Sequence, residues 1–192
     1  MTRFWSRLTA LALALALLTG SAAAESSGFS DVPERHWASG SVRWCREYGL
    51  MQGVSEGVFG LGQSMTRAAY VLALCRLMGW EMISPEKGSY ADNQNTRKWY
   101  YSAVETAYAH GALTGESSLF RPDDAVTREE MAKMTVRALG FAMLSGAAAD
   151  DCPFSDVSVA RGYVALAYRM GLIRGVSSYG FDPKATATRE QA

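Results

Sequence analysis

The chain has 192 residues, with 19 Lys and Arg against 19 Asp and Glu, 48% hydrophobic content and 5 prolines. This is globular composition, long enough for one domain or a few small ones. No basic block interrupts it, so it offers the phosphate backbone of nucleic acid no electrostatic footprint.

The first element is not part of the fold. Residues 1–24 place Arg3 and Arg7 ahead of an apolar run from Leu8 to Leu18, followed by small residues ending at Ala22-Ala23-Ala24. A basic start, a short apolar run and an A-x-A site predict a secretory signal cleaved after Ala24. The alternative is a membrane anchor, but the run is too short to span a bilayer, and no later segment is both long and apolar enough. The expected mature chain is exported and soluble, with no integral membrane segment. Removing the leader's two arginines from the 19 basic residues leaves 17 against 19 acidic, a net charge of −2.

The remaining elements read as helices in pairs. The first spans 37–48, with Ala38, Val42 and Cys45 on one stripe, and stops at Gly49, where a residue must turn left-handed. The second spans 66–79. After a linker over 81–89, a helix over 99–110 repeats the stripe with Tyr100, Val104 and Ala107 and stops at Gly111. Its partner spans 127–139 and faces inward through Met131, Met134 and Ala138. A second linker, 141–153, is expected to be flexible because of its Gly/Ala run. A helix over 160–170 follows, ending at Gly171, and the sequence breaks off at Ala192. Cys45 and Cys75 lie on apolar stripes and read as small hydrophobes, and three cysteines make no disulfide framework.

These pairs are one unit repeated. Thr-Arg begins at Thr66, Thr127 and Thr188, 61 residues apart each time. A phenylalanine stands seven residues before each threonine: Phe59, Phe120 and Phe181. Gly-x-x-x-Gly recurs as "GLMQG", "GALTG" and "GLIRG". An aromatic-small-Asp opening recurs as "FSD" (29–31), "YAD" (90–92) and "FSD" (154–156). Four marks in fixed order define units at 25–80, 90–140 and 154–192, joined by the two linkers. The third unit stops before its second helix can form, so the sequence reads as a fragment with an incomplete third lobe.

Thr127 is placed to cap its helix, and Glu130 to reach back and complete a capping box. Unit three keeps the pattern with Thr188 and Gln191; unit one has Ala69 and loses half of it. Capping explains the threonine and the glutamate but not the arginine. A cation in the first turn opposes the helix dipole, and finding one there three times predicts an anionic partner.

At this point the sequence resembles the S-layer homology domains. The residues that carry the resemblance are "FSDV" at 29–32 and 154–157, the Gly-Leu-x-x-Gly turn, the Phe-x-Pro loop at Phe120-Arg-Pro122 and Phe181-Asp-Pro183, and "VTREEMAKMTVRALG" at 126–140. The resemblance runs from Phe29 to the end. It implies an all-α fold of tandem helix-loop-helix repeats arranged as a pseudo-threefold spindle. It also implies a function: non-covalent anchoring of an exported protein at the cell surface, in the S-layer, by binding an anionic and often pyruvylated secondary polymer attached to peptidoglycan. The rest of a larger surface protein is then the load it carries. Carried onto this sequence, the resemblance makes Arg67, Arg128 and Arg189 contacts to the polymer's carboxylates. Asp31, Asp92 and Asp156 match the family's opening-loop aspartate, and Trp37 and Trp99 its aromatic. Unit three has Val159 or Tyr163 in that region instead. Each residue type also has a plain structural use: tryptophan as core at a helix start, aspartate as a turn or cap, arginine as solvated surface.

Two other functions compete with this one. A cell-wall hydrolase would need catalytic groups, and only His36 and His110 exist, in non-equivalent contexts. No metal, phosphate-loop or nucleophile motif is present. Asp123-Asp124 and Asp150-Asp151 read as solvated loop pairs, where glycosidase carboxylates would need a cleft. No catalytic residue, metal or cofactor is therefore expected. The other function is a structural or adhesive surface-layer protein whose repeats mediate protein–protein assembly.

Overall fold

In the computed structural model, residues 28–192 are described, and the leader expected over 1–24 lies outside them. Among the described residues there are five α-helices: α1 (Ser39–Glu47), α2 (Arg67–Leu77), α3 (Tyr101–Ala109), α4 (Arg128–Ala138) and α5 (Arg161–Arg169). Two short 3-10 turns cover Ala142–Leu144 and Ala149–Asp151. Extended pairing among the described residues is limited to isolated bridges. The five helices stand where the sequence placed them, each a residue or more shorter at its ends. α1, α3 and α5 are followed by Gly49, Gly111 and Gly171 at φ of 67°, 74° and 72°, the left-handed region that glycine enters without a Cβ clash.

The repeats meet at an axis. Met65, Val126 and Ala187, each directly before its Thr-Arg pair, are buried there. The Val126 N–H donates to the Met65 carbonyl at 2.8 Å, the Ala187 N–H to the Val126 carbonyl at 3.0 Å, and the Met65 N–H to the Ala187 carbonyl at 2.9 Å. Each residue gives one hydrogen bond and takes one, so the three peptides form a closed cycle with nothing left over, as buried backbone requires. Isolated bridges flank it between each pair of units: Thr66 with Ala125, Thr127 with Thr186, and Ser64 with Thr188. The arrangement is the pseudo-threefold one expected.

The same pairing covers helix starts. The first N–H groups of a helix lack partners of their own. In α2 the Arg67 and Ala68 N–H groups donate to the Asp124 and Pro122 carbonyls of the second unit. In α4 the Arg128 and Glu129 N–H groups donate to Ala185 and Pro183 of the third. The next N–H in each goes to its threonine cap: Ala69 to Thr66 at 3.2 Å and Glu130 to Thr127 at 3.3 Å. α4 has the full capping box, with the Glu130 carboxylate accepting the Thr127 N–H at 3.0 Å. At Thr188 the reciprocal half is present, its N–H donating to Gln191, and the chain makes one turn there.

Burial divides between two clusters. Units one and two share a core that includes Val42, Phe59, Val71, Cys75, Val104 and Phe120. The third unit packs Phe154, Val164 and Phe181 against Ala132 and Val136 of α4. α4 thus faces both, with Met131 and Met134 turned to the first. The three cysteines are free. Burial pushes the Cys75 thiol up to about 11, so it behaves as a small apolar side chain.

Neither linker is a loose tether. Over 81–89, the Ser89 N–H and hydroxyl both donate to the buried Glu105 of α3, and the Ile83 N–H donates to Thr106. The segment 141–153, expected to be flexible, is instead wound into the two 3-10 turns, with Ala148 and Cys152 buried. Its small residues permit close approach. A Cβ on Gly162 would fall 1.6 Å from the Ser145 carbonyl oxygen, and Arg161 reaches the Ala149 and Cys152 carbonyls.

Replacing Thr127 with alanine removes the acceptor of the Glu130 N–H and should cost about 1 kcal/mol. Thr66→Ala should cost the same or less, because its box lacks the glutamate. Urea denaturation of both variants measures the pair, and equal negligible losses would mean that the threonines do not hold these helix starts.

Candidate functional site

The recurrent arginines sit at the joints between units. The Arg67 Nε donates to the Phe120 carbonyl, Arg128 Nε to Phe181 and Arg189 Nε to Phe59, each at 2.8 Å. Each guanidinium also lies over the ring of the same phenylalanine, 4.5–5.0 Å from its centroid. A first-turn cation is therefore matched locally, by a carbonyl and an aromatic face of the neighbouring unit. These arginines are half-buried, not solvated surface. Burial pulls the Arg128 and Arg189 pKa values down, while Asp182 and Asp156 beside Arg128, and Asp31 and Glu190 beside Arg189, oppose that. Both stay cationic.

The aspartates hold the same phenylalanine loops from the other side. Asp31 accepts the Phe59, Gly60 and Leu61 N–H groups at 2.7–2.9 Å. Asp92 accepts those of Phe120 and Arg121, and Asp156 those of Phe181 and Asp182. The residue after each phenylalanine is left-handed: Gly60 at φ 87°, Arg121 at 59° and Asp182 at 57°. That turn aims successive N–H groups at one carboxylate. Asp31, Asp92 and Asp156 thus hold a turn, one of the uses expected of them.

The tryptophans are not core. Trp37 is 68% exposed and Trp99 59%. Val159, at the corresponding place before α5, is exposed too. Trp99 borders a groove of about 230 Å³ with Arg189, Arg76 and the 50–53 loop. Trp37 borders a larger apolar cavity of about 580 Å³ with Arg128. The Arg67 groove, about 200 Å³, has no tryptophan in its wall. In two of three joints the structure therefore brings together an arginine and an exposed indole from different units. Remaining donors of the forks differ. Arg128 and Arg189 each give a terminal nitrogen to a carbonyl, of Arg174 and Gln52, at 2.6 Å. Arg67 gives one to the Glu130 carboxylate at 2.5 Å.

The histidines weighed for catalysis have local roles. His36 accepts the Ala38 N–H at 3.2 Å, and His110 stacks on Trp80 at 4.3 Å between centroids. Among the described residues no group of acids, histidines and cysteines could hold a metal ion, and no helix is long and apolar enough to cross a membrane. Reading motifs alone missed Arg76, Lys133, Arg137 and Glu116, which line the grooves. The repeat spacing carried a signal for two of them, since Arg137 stands 61 residues after Arg76.

A family model described as the S-layer homology domain matches residues 28–71, 90–132 and 153–192. The chain is 32% identical to an exoglucanase, XynX, of Acetivibrio thermocellus over 92% of its own length and 17% of that protein. It is 32% identical to an endoglucanase of a Bacillus species over 85% of its length and 18% of the relative. It is 26% identical to an S-layer protein of Bacillus thuringiensis subsp. finitimus over 88% of its length and 21% of the relative. The chain thus spans about a fifth of the length of these three relatives.

The loop carboxylates carry a pH signature. Burial would raise Asp31, but the Leu61, Phe59 and Gly60 N–H groups outweigh it and hold its pKa below the usual range. The Asp182 and Phe181 N–H groups do the same for Asp156. A carboxylate depressed in the folded state stabilises the fold above its unfolded pKa, and that stability is lost as pH falls through the folded value. Melting temperature should therefore fall steeply with acid below about pH 4. Asp156→Asn should lower it at neutral pH and make the acid decline shallower. An unchanged decline would mean that Asp156 does not hold the loop through its charge.

Proposed function

We propose, for a chain that belongs to the S-layer homology domain family, that its inter-repeat grooves bind a carboxylate-bearing polysaccharide of the cell wall, pyruvylated sugars being the ligand chemistry they suit. Domains of this family anchor surface proteins to the cell wall, which places the protein at the cell surface, in the S-layer. The proposed role is binding alone. The enzymes among the relatives match it across a small share of their length.

One observation carries the reading. At two joints a guanidinium, held in place by backbone carbonyls, faces the same hollow as an exposed indole. A sugar ring stacks its apolar face on an aromatic surface, and a carboxylate accepts two parallel bonds from an arginine fork. Preset forks lose little freedom on binding, which favours affinity. Of the residues expected at the contact, Arg128, Arg189, Trp37 and Trp99 suit it directly. Asp31, Asp92 and Asp156 act one step back, by shaping the loops on which the arginines rest.

Co-sedimentation with peptidoglycan sacculi tests this. The protein should pellet with sacculi that retain their secondary polymer and not with sacculi stripped of it. Raising salt should release it, because ion pairs at an open groove are screened. Trp99→Ala should weaken pelleting severalfold with an unchanged melting temperature, since the indole is largely exposed. Equal pelleting with stripped sacculi would overturn the proposal and favour protein–protein assembly or contact with the peptidoglycan itself.

A further inference from the structure

The Arg67 and Arg189 grooves are built from corresponding parts but filled differently. In the Arg67 groove every cation faces a carboxylate. Arg67 pairs with Glu130 at 2.5 Å, and Arg121 with the same carboxylate at 3.0 Å. Lys133 and Arg137 both pair with Glu116, at 3.1 and 2.6 Å. Arg137 also lies over the Tyr163 ring, 5.0 Å from its centroid.

In the Arg189 groove the acids are missing. The 61-residue spacing puts Ala69 where Glu130 stands and Leu72 where Lys133 stands, while Arg76 keeps the place of Arg137. Gly53 matches Gly115 in the Gly-x-x-x-Gly turn, so Val54 takes the place of Glu116. Arg76 and Arg189 bond only to neutral acceptors: Arg76 to the Leu50 carbonyl at 3.3 Å, and Arg189 to the Phe59 and Gln52 carbonyls and the Met65 sulfur. The acids nearest Arg189 are engaged elsewhere, Asp31 with the Phe59 loop and Glu190 with the Gly62 N–H. Two guanidinium groups and the Trp99 ring thus line a hollow of about 230 Å³ with no carboxylate in its wall. It is smaller than the ~300–1,000 Å³ of pockets for larger ligands, a size for one substituted sugar.

We infer that the Arg189–Arg76–Trp99 groove is a carboxylate-recognising site, and that Glu116 and Glu130 close the Arg67 groove by occupying it as a ligand's acid would. Resting on the proposed function, this sets the Arg189 groove apart from the Arg67 groove, whose acids the Arg128 hollow also lacks. It makes Arg76 a specificity-determining residue and Ala69 the vacancy that keeps the site open. A carboxylate entering the Arg67 groove would have to displace two that are already bonded there. One entering the Arg189 groove meets two cations with none.

The test transplants the closure. Ala69→Glu puts a carboxylate beside Arg189 as Glu130 stands beside Arg67, and it also completes the capping box of Thr66, so the fold should be as stable as before or more so. The probe is a hexose bearing a pyruvate ketal, with the unsubstituted hexose as control, titrated calorimetrically into the whole protein. The parent should bind the pyruvylated sugar, and Ala69→Glu should reduce affinity about tenfold or more at an equal or higher melting temperature. Arg76→Gln should lose a similar factor, while Lys133→Gln, in the closed groove, should stay within about twofold of the parent. Parent-like affinity in Ala69→Glu or Arg76→Gln, or an equal loss in Lys133→Gln, would overturn the assignment and leave polysaccharide binding standing. A parent that binds neither this sugar nor polymer-bearing sacculi would overturn the proposed function and the assignment together.

Discussion

Three peptide groups at the axis hold the molecule's plan. Because Met65, Val126 and Ala187 each donate once and accept once, no two units can satisfy the cycle alone. Two units would leave an N–H and a carbonyl unpaired in a buried place, a cost of about 1–3 kcal/mol per group. The cycle therefore favours three units over two. It fixes the rotation of each unit relative to the next, and it sets the carbonyls of one unit against the bare helix start of another. The joints, and the hollows within them, follow from that registration.

On the proposed reading, Arg128 and Arg189 have two tasks that share one side chain. The Nε and guanidinium face of each arginine lock the neighbouring phenylalanine loop, and the same side chain borders the hollow. This explains a first-turn cation without contradicting helix electrostatics. The N–H groups that make a helix start positive are here covered by carbonyls of the next unit, so the arginine meets acceptors as well as the dipole. Stability and recognition are consequently linked in these residues, and separated in the exposed tryptophans.

Much of this was legible in the sequence. The 61-residue spacing of Thr66, Thr127 and Thr188 located the units, the three C-terminal glycines located the ends of α1, α3 and α5, and Thr127 with Glu130 announced its capping box. What periodicity could not express was the direction of pairing. It says that units are alike, not that an arginine in one unit reaches the phenylalanine of the next. Which loops the aspartates would hold was hidden for a related reason, since left-handed Arg121 and Asp182 bear no glycine to mark the turn. The segment 141–153 was misread because small residues signal either looseness or close approach, and only the packing of Ala148 and the fit of Gly162 under Ser145 decide between them. The grooves were only partly readable. Arg76 and Arg137 align in the repeat, but whether such a cation is free depends on Glu116, which lies in a different element.

The cyclic order of the joints also has a consequence in time. Arg67 reaches Phe120 and Arg128 reaches Phe181, each 53 residues ahead, but Arg189 reaches back 130 residues to Phe59. A chain made from its N-terminus can close the Arg67–Phe120 joint with two units in place, whereas the other two joints wait for the last unit. Waiting costs little, because loop-closure entropy grows only with the logarithm of the span. The hollow between Arg189 and Trp99 is thus assembled only with the last unit, as is the Arg128 hollow, and a partly emerged chain presents its first two units with only the Arg67 joint closed.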